Sequence, residues 1–199
     1  MAKAVARRAR SLLLLSGVFA GSVSAQAQEI PPPAYQIAAK RAGIPSPVLY
    51  AVALQESGMA RDGKIVPWPW TLNVAGAPRR FNSQSDACLG LLKALREAPA
   101  TRVDAGLSQI NLGYQRHRYD HPCELLDPYR NLVIAAEILR EQYRPGEDWL
   151  LAIGRYHRPA GGAPAARYRR SAAQHLARVL GVPRASPVKA LAFEERAAR

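Results

Sequence analysis

Apolar positions recur with a helical period along most of the chain, and the interruptions are short. Tyr35 to about Ala42 predicts a short helix stopped by Gly43. Ser46-Pro47 predicts a second start, with Ser46 as N-cap and Pro47 at the first helical position. That helix runs to about Ser57, where Gly58 ends it. From about Ser85 to Ala98, Ala87, Leu91, Leu92 and Leu95 share one face, and Pro99 stops the run. Asp127 to Tyr143 reads as a helix capped by Asp127 with Pro128 at N1, and Leu132, Ala135, Ala136 and Leu139 line one side. Asp148 caps a shorter helix through His157. Gly161, Gly162 and Pro164 form a loop, and a last helix runs from about Ala165 to Leu180. The stretch from Arg61 to Asn82 is not helical in character. Within it, Trp70 to Val74 reads as a strand, Gly76 and Pro78 as a turn, and Arg80-Phe81 as the returning strand. The expected architecture is mostly α, with one small β-hairpin insertion.

The two ends follow other rules. Lys3, Arg7, Arg8 and Arg10 precede an apolar run from Leu12 to Val23, and Val23-Ser24-Ala25 supplies small residues before Gln26. This is the order of a cleavable secretory signal peptide over residues 1–25, with a second cleavage choice at Ala25-Gln26-Ala27. An uncleaved anchor is the alternative, but the run is shorter than the ~20 residues of a spanning helix. Residues 26–33, ending in Pro31-Pro32-Pro33, form a stiff lead-in to a domain over residues 34–180. Residues 181–199 form a basic tail with little patterning. Export implies a periplasmic protein.

Composition adds two constraints. The 199 residues carry a formal charge of +13, and removing the leader's four basic residues leaves the rest at +9. A basic surface suits nucleic acid, an anionic membrane or an anionic polymer. No nucleic-acid motif appears, and an exported protein rarely meets nucleic acid, so none is expected as a partner. A solvated arginine-rich surface without a partner is the bland reading. Cys88 and Cys123 are the two cysteines. In an oxidising compartment they form either a disulfide or two buried thiols, and spacing does not test the geometry. His117 and His121 are four apart, but no carboxylate motif completes a zinc site, and neither metal nor cofactor is expected.

One carboxylate stands out. On a helix ending at Ser57, Leu49, Val52, Ala53 and Glu56 share one face. Glu56 then sits in the last turn at the inner end of an apolar stripe. Desolvation and the negative end of the helix dipole both raise a carboxyl pKa there, which suits a general acid. A Glu that simply ends a helix at the surface is the alternative.

Further motifs follow in order: Gly106-Leu107-Ser108-Gln109-Ile110-Asn111, then Asp127-Pro128 with Asn131-Leu132, then Ala152-Ile153-Gly154-Arg155-Tyr156-His157. With Glu56-Ser57, this ordered set resembles the lytic transglycosylase domain of the soluble type (SLT), which shares the goose-type lysozyme fold. The resemblance spans about Tyr35 to Leu180. It implies that Glu56 is the single catalytic acid and that Ser57 orients substrate or the acid. It implies that Gln109 lines the cleft and that the Tyr156 hydroxyl approaches the acid. Asn131 would be structural, tying its helix start to the core. Gly106 fits a tight turn or close approach by sugar. Ser108 stands where the family often has Met, and His157 where it often has Asn. Ser108 would alter a subsite wall, and His157 would contact sugar or peptide, or else be a half-buried structural residue. The segment between Glu56 and Gln109 is long, similar to members found with conjugation and type IV secretion systems. It holds Trp68 and Trp70, which either stack on sugar or, for Trp70 with Leu72 and Val74, join the core.

The implied activity is cleavage of the N-acetylmuramic acid to N-acetylglucosamine bond in peptidoglycan, with formation of a 1,6-anhydro sugar. Glycosidases commonly use two carboxylates. Here the motifs supply one, with Asp62 and Asp104 as unpatterned candidates for a second. The alternatives are a lysozyme-type hydrolase and a non-catalytic wall-binding scaffold of an envelope assembly.

Overall fold

The computed structural model describes residues 27–182. The signal peptide read from residues 1–25, and the basic tail beyond Val182, lie outside the described residues. Six α-helices occupy half of this span: α1 (Pro33–Ala42), α2 (Ser46–Ser57), α3 (Gln84–Glu97), α4 (Pro128–Gln142), α5 (Trp149–His157) and α6 (Gly162–Val179). Six short strands lie between α2 and α4: β1 (Gly58–Arg61), β2 (Lys64–Pro67), β3 (Thr71–Val74), β4 (Ala77–Arg80), β5 (Val103–Ala105) and β6 (Ile110–Asn111).

The central element is α2. Every residue from Val48 to Leu54 is buried, so this helix is apolar all round and threads the core rather than resting a single stripe on it. It packs against α6, α1, α4 and the β1–β2 hairpin. Its start differs from the expectation. Pro45 is extended and its carbonyl opens the helical ladder, accepting from Val48 and Leu49, so Ser46 is already helical and its hydroxyl caps nothing. Its end differs too. Gly58 is extended at φ −54° and ψ 132°, and the chain passes straight into β1 without a left-handed turn.

The other helices obey their local chemistry. Gly43 is left-handed and closes α1. Ser83 accepts from the Asp86 amide at the start of α3, Asp127 from Arg130 at α4, and Asp148 from Leu150 at α5. The last helix begins three residues before the predicted start, and Pro164 sits in its first turn instead of a loop. Ala165, Tyr168, Ala172, Leu176 and Val179 form its buried stripe.

The β content exceeds the single hairpin expected. β1 and β2 form one antiparallel hairpin, turning at Asp62-Gly63, both at positive φ. A separate sheet runs β4-β3-β5-β6, antiparallel throughout. The β3–β4 hairpin is the expected one. The addition of β5 and β6 brings Leu72 opposite Ala105 and Asp104 opposite Asn111. Trp70 precedes β3 and packs against the core edge.

Two ties fix the periphery. Ahead of α1, Glu29 accepts from the Tyr50 hydroxyl and pairs with Arg178 at 3.2 Å, so the lead-in is strapped to α2 and α6. A disulfide joins Cys88 on α3 to Cys123 in a short 3₁₀ segment, closing a 35-residue span around the β5–β6 region. Loop-closure entropy makes this link worth about 3–4 kcal/mol. Replacing both cysteines by serine is expected to lower the unfolding free energy in urea by about that amount. An unchanged midpoint would show that the link adds nothing.

Candidate active site

The last turn of α2 delivers Glu56 to the floor of a cleft of about 800 Å³. One wall comes from the sheet, with Asn73 on β3, Asp104 on β5 and Asn111 on β6. The other comes from the end of α5 and the following loop, with Tyr156, His157 and Arg158. Glu56 keeps only a partial opening to this space. Burial pushes its carboxyl up to about 8, and the nearby Asp104 carboxyl pushes the same way. The Tyr168 hydroxyl donates to Glu56 Oε1 at 2.6 Å and opposes the rise without cancelling it. Glu56 is therefore mostly protonated at neutral pH. With Oε1 taken by the phenol, Oε2 is left to carry the proton. A carboxyl so held can give a proton to a bound substrate and afterwards accept one.

Asp104 is the second carboxyl in the cleft. Burial raises its pKa, and the Asn111 amide, donating at 2.8 Å, resists the rise. Asp62, the other candidate, sits on the exposed turn of the β1–β2 hairpin, paired loosely with Arg61, and is no part of the cleft.

Three of the predicted residues join Glu56 in the cleft: Gln109, Tyr156 and His157. Gln109 has a left-handed backbone, φ 47°, and its Nε2 donates to the Thr71 and Gly106 carbonyls. Tyr156 lies close enough for the Glu56 charge to raise its pKa, but it makes no hydrogen bond to the acid. Its hydroxyl donates to the Ser108 carbonyl at 2.7 Å, and Tyr168 makes the hydrogen bond to Glu56 instead. His157 is exposed on the cleft, not half-buried, and stacks flat on the Tyr168 ring at 4.4 Å. Partial desolvation of the ring and the Arg158 charge lower its pKa.

The remaining predicted residues lie behind the cleft. Ser57 is fully buried, and its hydroxyl donates to the Leu107 carbonyl at 2.7 Å, so it holds the 106–109 loop and touches no substrate space. Gly106, at φ 82°, is approached by the Asn131 side chain and the Leu125 carbonyl, with which a Cβ would collide. It is not among the residues that line the cleft. Asn131 is the structural tie expected: its Nδ2 donates to the Ala105 and Leu125 carbonyls, and its Oδ1 accepts from the Ser108 amide. Ser108 is buried with its hydroxyl unpartnered and forms no subsite wall. Trp68 and Trp70 are also outside the cleft. They meet edge to face at 5.8 Å, and the Trp68 indole donates to the Phe81 carbonyl. Among the described residues there is no cluster of three or more His, Cys, Asp or Glu side chains suited to a metal.

Tyr168 is the residue that sequence reasoning missed. Its only signal was its place in the buried stripe of α6, which reads as packing.

The raised pKa of Glu56 carries a stability cost. Between the ordinary value of 4.5 and about 8, the folded chain holds a proton that the unfolded chain releases. Stability from this group is fully present below 4.5 and is lost as pH rises through 8. Glu56→Gln has no such loss. Its unfolding free energy relative to the wild type is expected to rise by about 2–4 kcal/mol between pH 5 and pH 8.5. A pH-independent difference in urea unfolding would contradict the assignment.

Comparison with known families matches residues 33–179 to the transglycosylase SLT domain. Neither the curated proteins nor the solved structures yield a match. With the match covering α1 to α6, the chain belongs to the transglycosylase SLT family, whose lysozyme-like helical domain acts on peptidoglycan as a lytic transglycosylase.

Proposed function

We propose that this chain cleaves the β-1,4 bond from N-acetylmuramic acid to N-acetylglucosamine and closes the muramic acid into its 1,6-anhydro form, with Glu56 as the sole acid and base. The observation that carries this reading is a buried carboxyl at the floor of a cleft, hydrogen-bonded by a buried phenol and pushed up to about 8 by desolvation. The Glu56 proton goes to the glycosidic oxygen as the bond to the muramic C1 breaks, and the departing sugar leaves with a free 4-hydroxyl. The substrate's N-acetyl group stabilises the positive centre at C1. Glu56, now a carboxylate, takes the proton of the muramic C6 hydroxyl as that oxygen bonds to C1. The acid is restored and no water is consumed. An internal nucleophile has a large entropic advantage over a diffusing one.

Tyr168 assists both halves. Its hydrogen bond strengthens when Glu56 becomes anionic, so it stabilises the charge that develops during proton transfer. Gln109, with its Nε2 occupied by backbone carbonyls, offers its amide oxygen to the cleft. The +9 charge remaining after the leader suits the carboxylates of peptide stems. The leader over residues 1–25 supports export to the periplasm. The long insert between Glu56 and Gln109, filled by two hairpins and α3, supports service to a conjugation or type IV secretion apparatus.

Asp104 favours a second reading, a hydrolase of the lysozyme kind. It lies in the same cleft, and an ionised form would activate a water to attack C1. The products decide between the two. Digestion of purified peptidoglycan by the chain from residue 26 onward is expected to release anhydro-muropeptides, read by mass spectrometry, and Glu56→Gln is expected to release none. Reducing-end products in their place would establish the hydrolase. Wall binding without any cleavage by the wild type would establish the scaffold reading.

A further inference from the structure

Most tyrosines of the described residues are engaged. The hydroxyls of Tyr50, Tyr119, Tyr156 and Tyr168 each donate to a protein acceptor, and Tyr143 stacks on Trp149. Tyr114 is different. It is 71% exposed, and its side chain has no hydrogen-bond or stacking partner among the described residues. Of the large exposed apolar side chains, it is the one that lines the Glu56 cleft.

The turn that carries this ring is built rigidly. Asn111 Oδ1 accepts from the amides of Gly113 at 3.1 Å and Tyr114 at 3.0 Å. The same side chain donates through Nδ2 to the Thr101 carbonyl and to Asp104. Asn111 thus ties the backbone that carries the ring to Asp104 in the cleft. Gly113 lies so close to Thr101 that a Cβ would meet its backbone nitrogen at 2.6 Å. Leu112, fully buried, anchors the turn from below, with its amide on Val103 and its carbonyl on Tyr119. A chain that orders a turn this completely and leaves an aromatic ring in water gains nothing for its core. A preset ring, by contrast, binds a flat apolar ligand face at low entropic cost.

We propose that Tyr114 is a sugar-stacking subsite at the rim of the Glu56 cleft, taking an N-acetylhexosamine ring of a β-1,4-linked strand away from the cleaved bond. The C–H face of the pyranose lies on the phenol ring, and the turn held by Asn111 sets its distance from the acid. The inference deepens the transglycosylase reading and rests on it only for the identity of the strand.

Binding of the β-1,4-linked N-acetylglucosamine hexamer tests the subsite without turnover. Calorimetry on the chain from residue 26 onward, carrying Glu56→Gln, gives the parent affinity. Adding Tyr114→Ala is expected to weaken binding about fivefold to tenfold. Tyr114→Phe keeps the ring and is expected to stay within about twofold. Tyr129→Ala, which removes an equally exposed tyrosine outside the cleft, is expected to match the parent. With Glu56 restored, Tyr114→Ala is expected to raise KM for glycan strands while kcat holds within about twofold. Parent-like binding by Tyr114→Ala, or no hexamer binding by the parent at millimolar ligand, overturns the subsite. Tyr114→Phe as weak as Tyr114→Ala overturns stacking in favour of the hydroxyl. Weakened hexamer binding in a protein that cleaves no peptidoglycan keeps the subsite and removes the transglycosylase reading. Thermal unfolding of each variant separates these outcomes from misfolding.

Discussion

Burial of one carboxyl at the end of a wholly apolar helix governs the rest of the design. A helix resting one stripe on a core leaves its last turn free to meet water. In α2 the whole circumference from Val48 to Leu54 is packed, so the turn carrying Glu56 ends inside protein on all sides but the cleft. Desolvation then favours the protonated carboxyl by more than the Tyr168 hydrogen bond favours the anion. The balance of these two opposing effects sets a proton affinity near neutrality, where donation and recapture are both accessible. Asp104 moves it further in the same direction as burial.

Around that carboxyl the fold spends its polar side chains on holding the opposite wall. Asn131 satisfies two carbonyls and one amide from three separate segments, which welds the start of α4 to β5 and to the loop carrying Gln109. Ser57, one residue after the acid, reaches the same loop through the Leu107 carbonyl. Tyr156 reaches it again through Ser108. Three elements converge on residues 107–109, and the outcome is a left-handed Gln109 held against the cleft. Buried polar groups of this kind are costly unless fully paired. Most are paired here, and the Ser108 hydroxyl, Gln55 Oε1 and Trp70 Nε1 are among the exceptions in the described residues.

What could be read from the residues follows from the range of the interactions. The caps at Asp127 and Asp148 act over two or three residues, and the helices they begin match the expectation. The β3–β4 hairpin was legible from alternating residues and its turn. The β1–β2 hairpin carried its own signal in Asp62-Gly63, but its strands are four residues each and lack a clean alternation. Ser46 misled because Pro45 already supplies the first carbonyl of the ladder. The motif residues pointed to the right region, yet their division into cleft and support was not legible. Ser57 and Gly106 face the core, and only packing against Leu107, Leu125 and Asn131 reveals it. Tyr168 lies 112 residues from Glu56, and no local pattern distinguishes it from the alanines and leucine of its stripe.

The central claim concerns the proton on Glu56, and carbon-13 NMR titration of its side-chain carboxyl measures that directly. The signal is assigned by its absence in Glu56→Gln and followed in the wild type and in Tyr168→Phe. The account predicts a wild-type midpoint near 8 and a higher one once the phenol is removed. A wild-type midpoint close to the ordinary 4.5, or a fall on removing the phenol, would contradict it.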